Sequence, residues 1–306
     1  MPSLPTFVLI TPARNEAQFI EMALKSVIAQ KVRPVKWIIV SDGSTDGTDD
    51  IVRKYAADQP WIELLRMPER QERHFAGKVY AFNAGYARVQ HLHYEIIGNL
   101  DADVSFDDED YFAYLLGKFA ENPRLGVGGT PYREGTWTYD YRFANIEDVC
   151  GACQLFRREC FEEIGGYLPV KGGEVDHIAF LTARMKGWST RTFTDKSCLH
   201  HRRSGTAERG RLTARFRNGM GDYSVGTHPI WALFRSAYQM TKRPFILGGL
   251  MLGAGYLWAM VRRVKRPVTP ELVAFYRREQ LQRLRKLLTG NKVSLPSPLE
   301  HTGKSV

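Results

Sequence analysis

Two aspartates, Asp101 and Asp103, stand one residue apart at the end of an apolar run, residues 96–100. This run predicts a buried strand that delivers both carboxylates to its carboxyl end, the edge at which open α/β sheets bind ligands. Two carboxylates this close repel each other, and burying both requires a cation or a proton to neutralise one of them. Because Mg²⁺ and Mn²⁺ bind carboxylates together with substrate phosphates, the first hypothesis is a metal ion that holds a diphosphate. The alternative is a solvated loop with two surface aspartates.

Charge is unevenly distributed along the chain. Residues 1–200 carry 23 Lys and Arg against 28 Asp and Glu, whereas residues 201–306 carry 20 against 5, so the net charge of +10 conceals an acidic body and a basic tail. Basic residues beside apolar runs are what an anionic membrane surface attracts, so we expect the tail to contact a membrane rather than a nucleic acid. The apolar run at residues 7–10 is too short for a secretion signal, so we expect the protein to act in the cytoplasm.

The four cysteines suit a reducing compartment and require no disulfide bonds. Cys150 and Cys153 could form a zinc site together with Cys198 and His200. A single C-x-x-C pair is weak evidence for zinc, however, so free buried thiols are the favoured interpretation.

Strands and helices are expected to alternate over the first hundred residues. Residues 6–11, 36–40 and 62–66 predict short strands, each followed by a helical segment, and Thr48 is expected to cap the helix that begins near Asp49. With the strand before the aspartate pair, these units predict a parallel sheet with right-handed crossovers and a nucleotide site at its carboxyl edge. The chain contains neither G-x-G-x-x-G nor a P-loop signature, which argues against the usual dinucleotide-binding fold and against P-loop enzymes.

The motifs of the first 200 residues, in their order and spacing, resemble those of the family 2 glycosyltransferases, inverting enzymes with a GT-A fold that use nucleotide-diphosphate sugars. Each motif alone is weak evidence, whereas all of them in register are specific. The matching segments are TPARNE (residues 11–16), SDGSTDGT (41–48), Gly77-Lys78 with Ala81, Asn83 and Gly85, DAD (101–103) and GGY (165–167).

The resemblance implies roles for several of these residues. It places Asp42 against the nucleoside, with Pro12, Arg14 and Glu16 in the same pocket, and it makes Asp103 a ligand of the metal ion that bridges the diphosphate. A carboxylate can accept hydrogen bonds from a base or a ribose hydroxyl. A divalent cation, Mg²⁺ or Mn²⁺, offsets the charge that develops on the departing nucleoside diphosphate.

Other side chains are expected on the donor side of the site. Asp101 is assigned to substrate binding, and Lys78 would add positive charge near the pyrophosphate, the alternative being a solvated lysine at a helix start. The family often places a histidine near the metal, and neutral imidazole can ligate Mn²⁺ or bind a phosphate oxygen, so His200 or His201 would complete the metal site. The aromatic residues of segment 132–143 would stack on a sugar or a lipid, or simply pack in a loop or the core.

The acceptor side is expected to supply a general base. The family usually carries Glu-Asp where this chain has Val175-Asp176, and counting back from Gly187 aligns Asp176 with the family's catalytic aspartate, while the neighbouring acid is displaced to Glu174. Inversion needs one base that takes the proton of the attacking hydroxyl. Asp176 is the predicted base and Glu174 the other candidate. The non-catalytic interpretation of Asp176 is a helix N-terminal carboxylate favoured by the macrodipole.

The tail contains one long uncharged segment. Residues 245–261 are 17 positions without a charge, at the lower end of the range that spans a bilayer, and basic residues flank both sides. A re-entrant or in-plane hairpin at the cytoplasmic face fits this pattern better than a true span, with a buried helix of a soluble protein as the alternative. Thr269 is expected to cap a last helix that ends at Gly290.

These observations lead to one interpretation. The predicted fold class is α/β, a GT-A (Rossmann-like) mostly parallel central sheet flanked by helices, with a catalytic domain at residues 1–205 and a basic, apolar, helical membrane-associated region at 206–306. The predicted function is metal-dependent, inverting transfer of a sugar from a nucleotide-diphosphate sugar donor to a lipid-linked saccharide acceptor at the cytoplasmic face of the cell membrane, in polysaccharide or cell-envelope glycan biosynthesis. The alternatives are a nucleotidyltransferase acting on sugar phosphates and a basic nucleic-acid-binding protein.

Overall fold

The computed structural model describes residues 3–69, 76–135, 145–202 and 210–289. The strands are β1 (Phe7–Ala13), β2 (Lys36–Asp42), β3 (Ile62–Met67), β4 (Ile96–Leu100), β5 (Val104–Ser105), β6 (Leu125–Gly129), β7 (Tyr132–Arg133), β8 (Cys153–Arg157), β9 (Ser189–Thr192) and β10 (Cys198–His200). The helices are α1 (Ile20–Ile28), α2 (Thr48–Asp58), α3 (Ala76–Val89), α4 (Tyr111–Glu121), α5 (Arg158–Glu163), α6 (Val175–Met185), α7 (Arg211–Ser224), α8 (Pro229–Met240), α9 (Leu247–Val261) and α10 (Pro270–Leu288).

The central sheet has seven strands in the order β3-β2-β1-β4-β8-β6-β9. Four of its six pairings are parallel, and β8 runs antiparallel to both of its neighbours, β4 and β6. The predicted α/β class with a mostly parallel sheet is therefore confirmed. The parallel pairs of β1, β2, β3 and β4 place the ends of β1, β2 and β4 along one edge.

Apolar layers cover both faces of this sheet. Along β1, Phe7 and Leu9 pack into one layer with residues of α1, α2 and α4, whereas Val8 and Ile10 pack into the other with α3, α5 and α6. Side chains alternate across a strand, so a strand that is buried on both faces reads as a continuous apolar run. This double burial fixes the strand positions and hence the loops that follow them.

A second, small sheet lies beside the end of β4. Its order is β5-β10-β7, with β10 antiparallel to β5 and parallel to β7. The register pairs His200 with Val104, the neighbour of Asp103. This sheet therefore joins residues nearly a hundred positions apart in the sequence to the aspartate pair.

The C-terminal helices pack by close backbone approach. A Cβ on Gly255 of α9 would stand 1.9 Å from the carbonyl oxygen of Phe216 in α7, and one on Gly219 of α7 would stand 2.0 Å from that of Leu252. Glycine is required at both positions because any side chain would collide with the facing backbone. Among the described residues, no helix combines the length and the apolar character that crossing a membrane requires.

Two sequence predictions concern the limits of this region. The Oγ1 of Thr269 accepts a hydrogen bond from the N–H of Leu272 at 3.3 Å, so Thr269 caps α10 as predicted. The predicted end of that helix, Gly290, lies outside the described residues, as does the predicted domain boundary between 205 and 206.

Candidate active site

The loops that follow β1 and β2 are held together by side chains of the SDGSTDGT segment. Asn15 Oδ1 accepts from the N–H of Thr45 at 2.9 Å, and the N–H of Glu16 donates to Thr48 Oγ1 at 2.8 Å. Asp46 accepts from the N–H of Thr48 at 3.0 Å. The prediction that Thr48 caps α2 is therefore wrong: Gly47 precedes the helix in a left-handed conformation, and the Thr48 hydroxyl contacts the neighbouring loop instead.

The residues predicted to surround the nucleoside lie at this edge. Asp42 ends β2 and is 5% exposed, and its Oδ2 lies 3.8 Å from Arg14 Nη1. Pro12 is half-buried and is paired with Val40 in the sheet. The structure thus brings Arg14 next to Asp42 and places both beside the loop that carries Glu16.

Arg202 is a member of this site that the sequence analysis missed. Its guanidinium forms a hydrogen-bonded ion pair with Glu16, lies 3.3 Å from Asp103 Oδ2 and stands over the Phe19 ring. Burial and the charge of Asp103 raise the pKa of Glu16 to about 7, although Arg202 acts in the opposite direction. Arg202 therefore links the predicted nucleoside pocket to the aspartate pair.

Asp101, Asp103 and His200 form a group whose ligand atoms all lie within 4.8 Å of one another. Asp103 is 8% exposed, and its Oδ1 lies 3.6 Å from His200 Nε2. Burial and the charge of Asp101 raise the pKa of Asp103, which is the electrostatic cost that a bound cation would relieve. Two carboxylates and an imidazole suit Mn²⁺ or Mg²⁺, so the donor set fits the predicted ion.

Of the two histidines, the structure places only His200 in this group. His200 Nδ1 also lies 3.5 Å from Oε1 of Glu134, a contact that the sequence analysis did not foresee. His201 points elsewhere, since its Nε2 is 2.8 Å from Ser105 Oγ and its ring stacks on Phe19. His200 ends β10 and pairs with Val104, whereas His201 lies beyond the strand and its N–H donates to the carbonyl oxygen of Asp103 at 2.9 Å.

The zinc alternative finds no support in the described part of the chain. All four cysteines are free, and the metal-competent group found there contains none of them. Burial raises the pKa of Cys150 and of Cys153 to about 12, so both stay protonated at neutral pH.

Lys78 and Asn99 both contact Asp101. Lys78, near the start of α3, forms an ion pair with Asp101 Oδ1, and Asn99 Nδ2 donates to the same oxygen at 3.2 Å. Burial acts to lower the pKa of Lys78, but the charge and the hydrogen bond of Asp101 raise it overall. Lys78 is therefore a fixed cation beside the candidate metal group.

Asp176 lies in the first turn of α6. Its Oδ2 accepts a hydrogen bond from the N–H of Gly151 at 2.9 Å. Burial and the charge of Glu174 raise the pKa of Asp176, while Lys78 acts to lower it. A half-buried carboxylate with a raised pKa is suited to proton transfer.

One cavity connects these groups. Its lining includes Lys78, Asp101, Tyr132, Tyr167, Asp176 and His200. The cavity therefore brings the candidate cation ligands Asp101 and His200 together with the candidate base Asp176. Within the aromatic segment 132–143, residues 136–143 lie outside the described residues.

Comparison with known sequences gives a family and several relatives. A profile of glycosyl transferase family 2 matches residues 8–165, slightly more than half of the chain. The poly-beta-1,6-N-acetyl-D-glucosamine synthase of Staphylococcus aureus (strain COL) is 33% identical over 118 residues, which cover 38% of this chain and 26% of that protein. The enzyme of the same name from Staphylococcus epidermidis is 31% identical over 122 residues, with the same coverage. The chain thus matches about a quarter of the length of these curated relatives.

Solved structures share the fold over nearly the whole chain. The mannosyltransferase PcManGT from Pyrobaculum calidifontis, in complex with GDP-Man and Mn²⁺, gives a TM-score of 0.58 at 20% identity and covers 95% of this chain and 89% of its own. TarS 1-349 of S. aureus, in complex with UDP-GlcNAc, gives 0.57 at 14% identity and covers 95% and 94%. At these identities the likeness shows a common GT-A fold.

Proposed function

Because the chain belongs to glycosyl transferase family 2, we propose that this glycosyltransferase inverts the anomeric centre as it moves a sugar from a nucleotide-diphosphate sugar to a hydroxyl of a saccharide acceptor, with Mg²⁺ or Mn²⁺ bound. Family membership favours glycosyl transfer over nucleotidyl transfer and nucleic-acid binding. The observation that carries the mechanism is that one cavity is lined by Asp101, His200 and Asp176 together.

The donor is proposed to bind across the edge formed by β1, β2 and β4. Arg14 and Asp42 lie side by side where the nucleoside is expected. The ligands of the two similar structures, GDP-Man and UDP-GlcNAc, are both nucleotide-diphosphate sugars, which supports this class of donor. Asp101, Asp103 and His200 would hold the divalent cation, which would offset the charge of the leaving nucleoside diphosphate.

Asp176 is the base in this proposal. The N–H of Gly151 orients its carboxylate, and burial raises its pKa, so it accepts a proton more readily than an exposed aspartate would. It takes the proton of the acceptor hydroxyl as that oxygen attacks the anomeric carbon from the face opposite the leaving group. Lys78 keeps Asp101 paired and supplies a fixed positive charge on the donor side.

The acceptor is proposed to be a lipid-linked saccharide reached at the cytoplasmic face of the cell membrane. We use the term apolar surface for the exposed apolar side chains of α8, of α9 and of the segment between them. These are Ile230, Leu233, Phe245, Ile246, Leu247, Leu250, Leu257, Trp258, Met260 and Val261. Exposed basic residues adjoin it, with Lys242 over the Tyr238 ring and Arg262 over the Trp258 ring. Aromatic and basic side chains beside apolar ones suit an anionic lipid headgroup region, which supports in-plane docking. The names of the sequence relatives support a role in polysaccharide or cell-envelope glycan synthesis.

The test uses donor binding and turnover as separate readouts. A panel of UDP-, GDP- and dTDP-sugars is scored by thermal stabilisation with Mn²⁺ or Mg²⁺ and with chelator, because a ligand of the native state raises the unfolding temperature without any acceptor. At least one donor should stabilise wild type and Asp176→Asn equally, and only with metal. The variant should hydrolyse or transfer that sugar roughly 10²- to 10⁴-fold more slowly.

The matched control is Asp58→Asn, the same exchange at an exposed position at the end of α2. It should leave both readouts unchanged. Full turnover in Asp176→Asn would refute the assignment of the base, and the absence of stabilisation by every donor would refute the proposed reaction.

A further inference from the structure

The turn before α6 has an uncommon backbone conformation. Glu174, which precedes the helix, has φ 63° and ψ 20°. Few residues other than glycine adopt this left-handed region, and they keep it only where the surroundings fix it. Asp176 follows two residues later, so its position depends on whatever holds Glu174.

Helices α7 and α10 both contribute to holding Glu174. Its Oε2 lies 3.0 Å from His177 Nδ1, and the His177 ring meets Tyr276 of α10 edge-on at 5.3 Å between centroids. On the other side lies Gly221 of α7, where a Cβ would stand 2.8 Å from Glu174 Oε1. The absence of a side chain at position 221 therefore leaves the space that the Glu174 carboxylate occupies.

A second ion pair begins at Asp222, the residue next to Gly221. Asp222, 4% exposed, is paired with Arg235 of α8 through a hydrogen bond. Burial acts to raise the pKa of Glu174, but the hydrogen bond and charge of His177 and the charge of Arg235 lower it overall. Glu174 is therefore ionised at neutral pH, with its charge balanced partly from a C-terminal helix.

The far end of α6 is also attached to the C-terminal helices. Arg184 donates from Nε and Nη2 to the two carboxylate oxygens of Glu279 in α10, both at 3.0 Å, and from Nη1 to Asp148 at 3.1 Å. A bidentate pair of this kind fixes orientation as well as distance. Both ends of the helix that carries Asp176 are thus joined to α7 or α10.

We propose that Glu174 is a positioning residue for the base, held by Gly221 and His177 so that the C-terminal helices fix the turn that carries Asp176. The inference rests on the proposed role of Asp176. It assigns the C-terminal helices a part in the reaction in addition to any contact with a membrane. Glu174 lines the same cavity as Asp176, yet its carboxylate lies against Gly221 of α7. A positioning role explains this placement.

The test is a double-mutant cycle between positions 174 and 221. Gly221→Ala places a methyl group against the Glu174 carboxylate, and we expect kcat to fall about 10- to 100-fold while the donor KM and donor-induced stabilisation stay unchanged. The three atoms nearest to that methyl group belong to the Glu174 side chain and are absent in Glu174→Gly. In that background Gly221→Ala should therefore not lower kcat further. Gly117→Ala, at a helical glycine of α4 with open space around its Cβ, is the matched control.

Glu174→Gln separates positioning from proton transfer. Glutamine keeps the length of the side chain and an acceptor for His177, so most of kcat should remain. A loss as complete as that of Asp176→Asn would identify Glu174 as the base and overturn the proposal, and so would additive effects in the cycle. If Asp176→Asn is inactive while the cycle is additive, only the positioning role fails; if Asp176→Asn is fully active, the proposed function itself fails.

Discussion

The sheet-containing part of the molecule and its C-terminal helices differ in how many large apolar side chains they expose to solvent. Of the eighteen large apolar side chains exposed among the described residues, five lie within residues 3–202 and thirteen within residues 210–289. The first part covers both faces of its sheet, whereas the second leaves a cluster of apolar side chains in contact with solvent. Contiguous exposure of this kind marks an interaction surface, while isolated exposed residues do not.

The two parts also differ in what separates their packed elements: side chains in the first part and glycine backbone in the second. The strands of the sheet are separated from the helices by layers of interdigitated side chains. Helices α7 and α9 instead meet through glycines, with backbone against backbone. Close approach through small residues holds helices together without a large apolar core between them, and it leaves the large side chains of α9 free to face outward. The two parts therefore differ both in how they bury apolar side chains and in how their helices pack.

The largest expected effect separates the two parts by function. Asp103→Asn removes a charge from the candidate metal group, so donor-induced stabilisation with Mn²⁺ should weaken about 100-fold in apparent affinity. Binding to lipid vesicles should not change, because the C-terminal helices are untouched. The control is Asp107→Asn, at an exposed neighbour paired with Arg133. Equal losses in both variants would show that Asp103 has no specific role in donor binding. A parallel loss of vesicle binding would mean that the two parts are not independent.

The second prediction concerns the glycine contacts. Gly255→Ala drives a Cβ into the carbonyl oxygen of Phe216 and should lower the free energy of unfolding by about 3 kcal/mol. Gly253→Ala, in the same helix, meets only the Ser236 side chain at 3.3 Å and should be neutral or slightly stabilising, since alanine favours helix. Urea unfolding of the two variants measures the difference. Equal stability would show that α7 and α9 do not depend on close backbone approach.

The sequence predicts the first part better than the second because its signals there are local. Apolar runs that end in polar loops predict β1, β2, β3 and β4, and their order predicts a common edge. The antiparallel direction of β8 and the pairing of β10 with β5 depend on contacts over many residues, which no local pattern encodes. The choice between His200 and His201 depends on where the two side chains lie relative to Asp103, which is visible only in the structure.

The functional residues that were not predicted from the sequence also depend on contacts between segments that are distant along the chain. Glu134 reaches the candidate metal group from the chain after β7. Arg202 follows His200 by two residues, but its partners Glu16 and Asp103 are far from it in sequence. Asp46 and Thr48 look like helix-start residues, yet they connect two loops. Polar residues at loop ends carry ambiguous signals, because the same side chain can cap its own helix or bind a neighbouring loop.

The third prediction tests the apolar surface directly. Leu233 and Val261 are 72% and 77% exposed, so replacing both with serine should leave the fold intact and weaken binding to phosphatidylglycerol-containing vesicles about tenfold. Met22→Ser, at an apolar residue of the sheet-containing part that is 46% exposed, is the control and should have no effect. Vesicle flotation gives the bound fraction.

Salt and lipid composition sharpen this prediction. Exposed Arg262 and Arg263 lie at the end of α9, so binding should be stronger to anionic than to neutral vesicles and should fall as ionic strength rises. Absence of binding to both kinds of vesicle, or equal binding by the serine variant and wild type, would contradict membrane docking. The exposed cluster would then have to be covered by a protein partner.

The smallest expected effect lies where the two parts meet. Burial raises the pKa of Asp222 from 3.8 to about 6, with Arg235 acting in the opposite direction and Glu174 in the same direction. A carboxyl group whose pKa is higher in the folded state binds its proton more tightly there, so its contribution to stability falls as pH rises from about 4 to about 6 and is constant above that window. Asp222→Asn removes this titration. Wild type should therefore lose on the order of 1 kcal/mol of unfolding free energy relative to the variant across the window. Urea unfolding at several pH values measures this difference in unfolding free energy. If wild type instead gained stability relative to the variant as pH rises, Arg235 rather than burial would determine the pKa of Asp222.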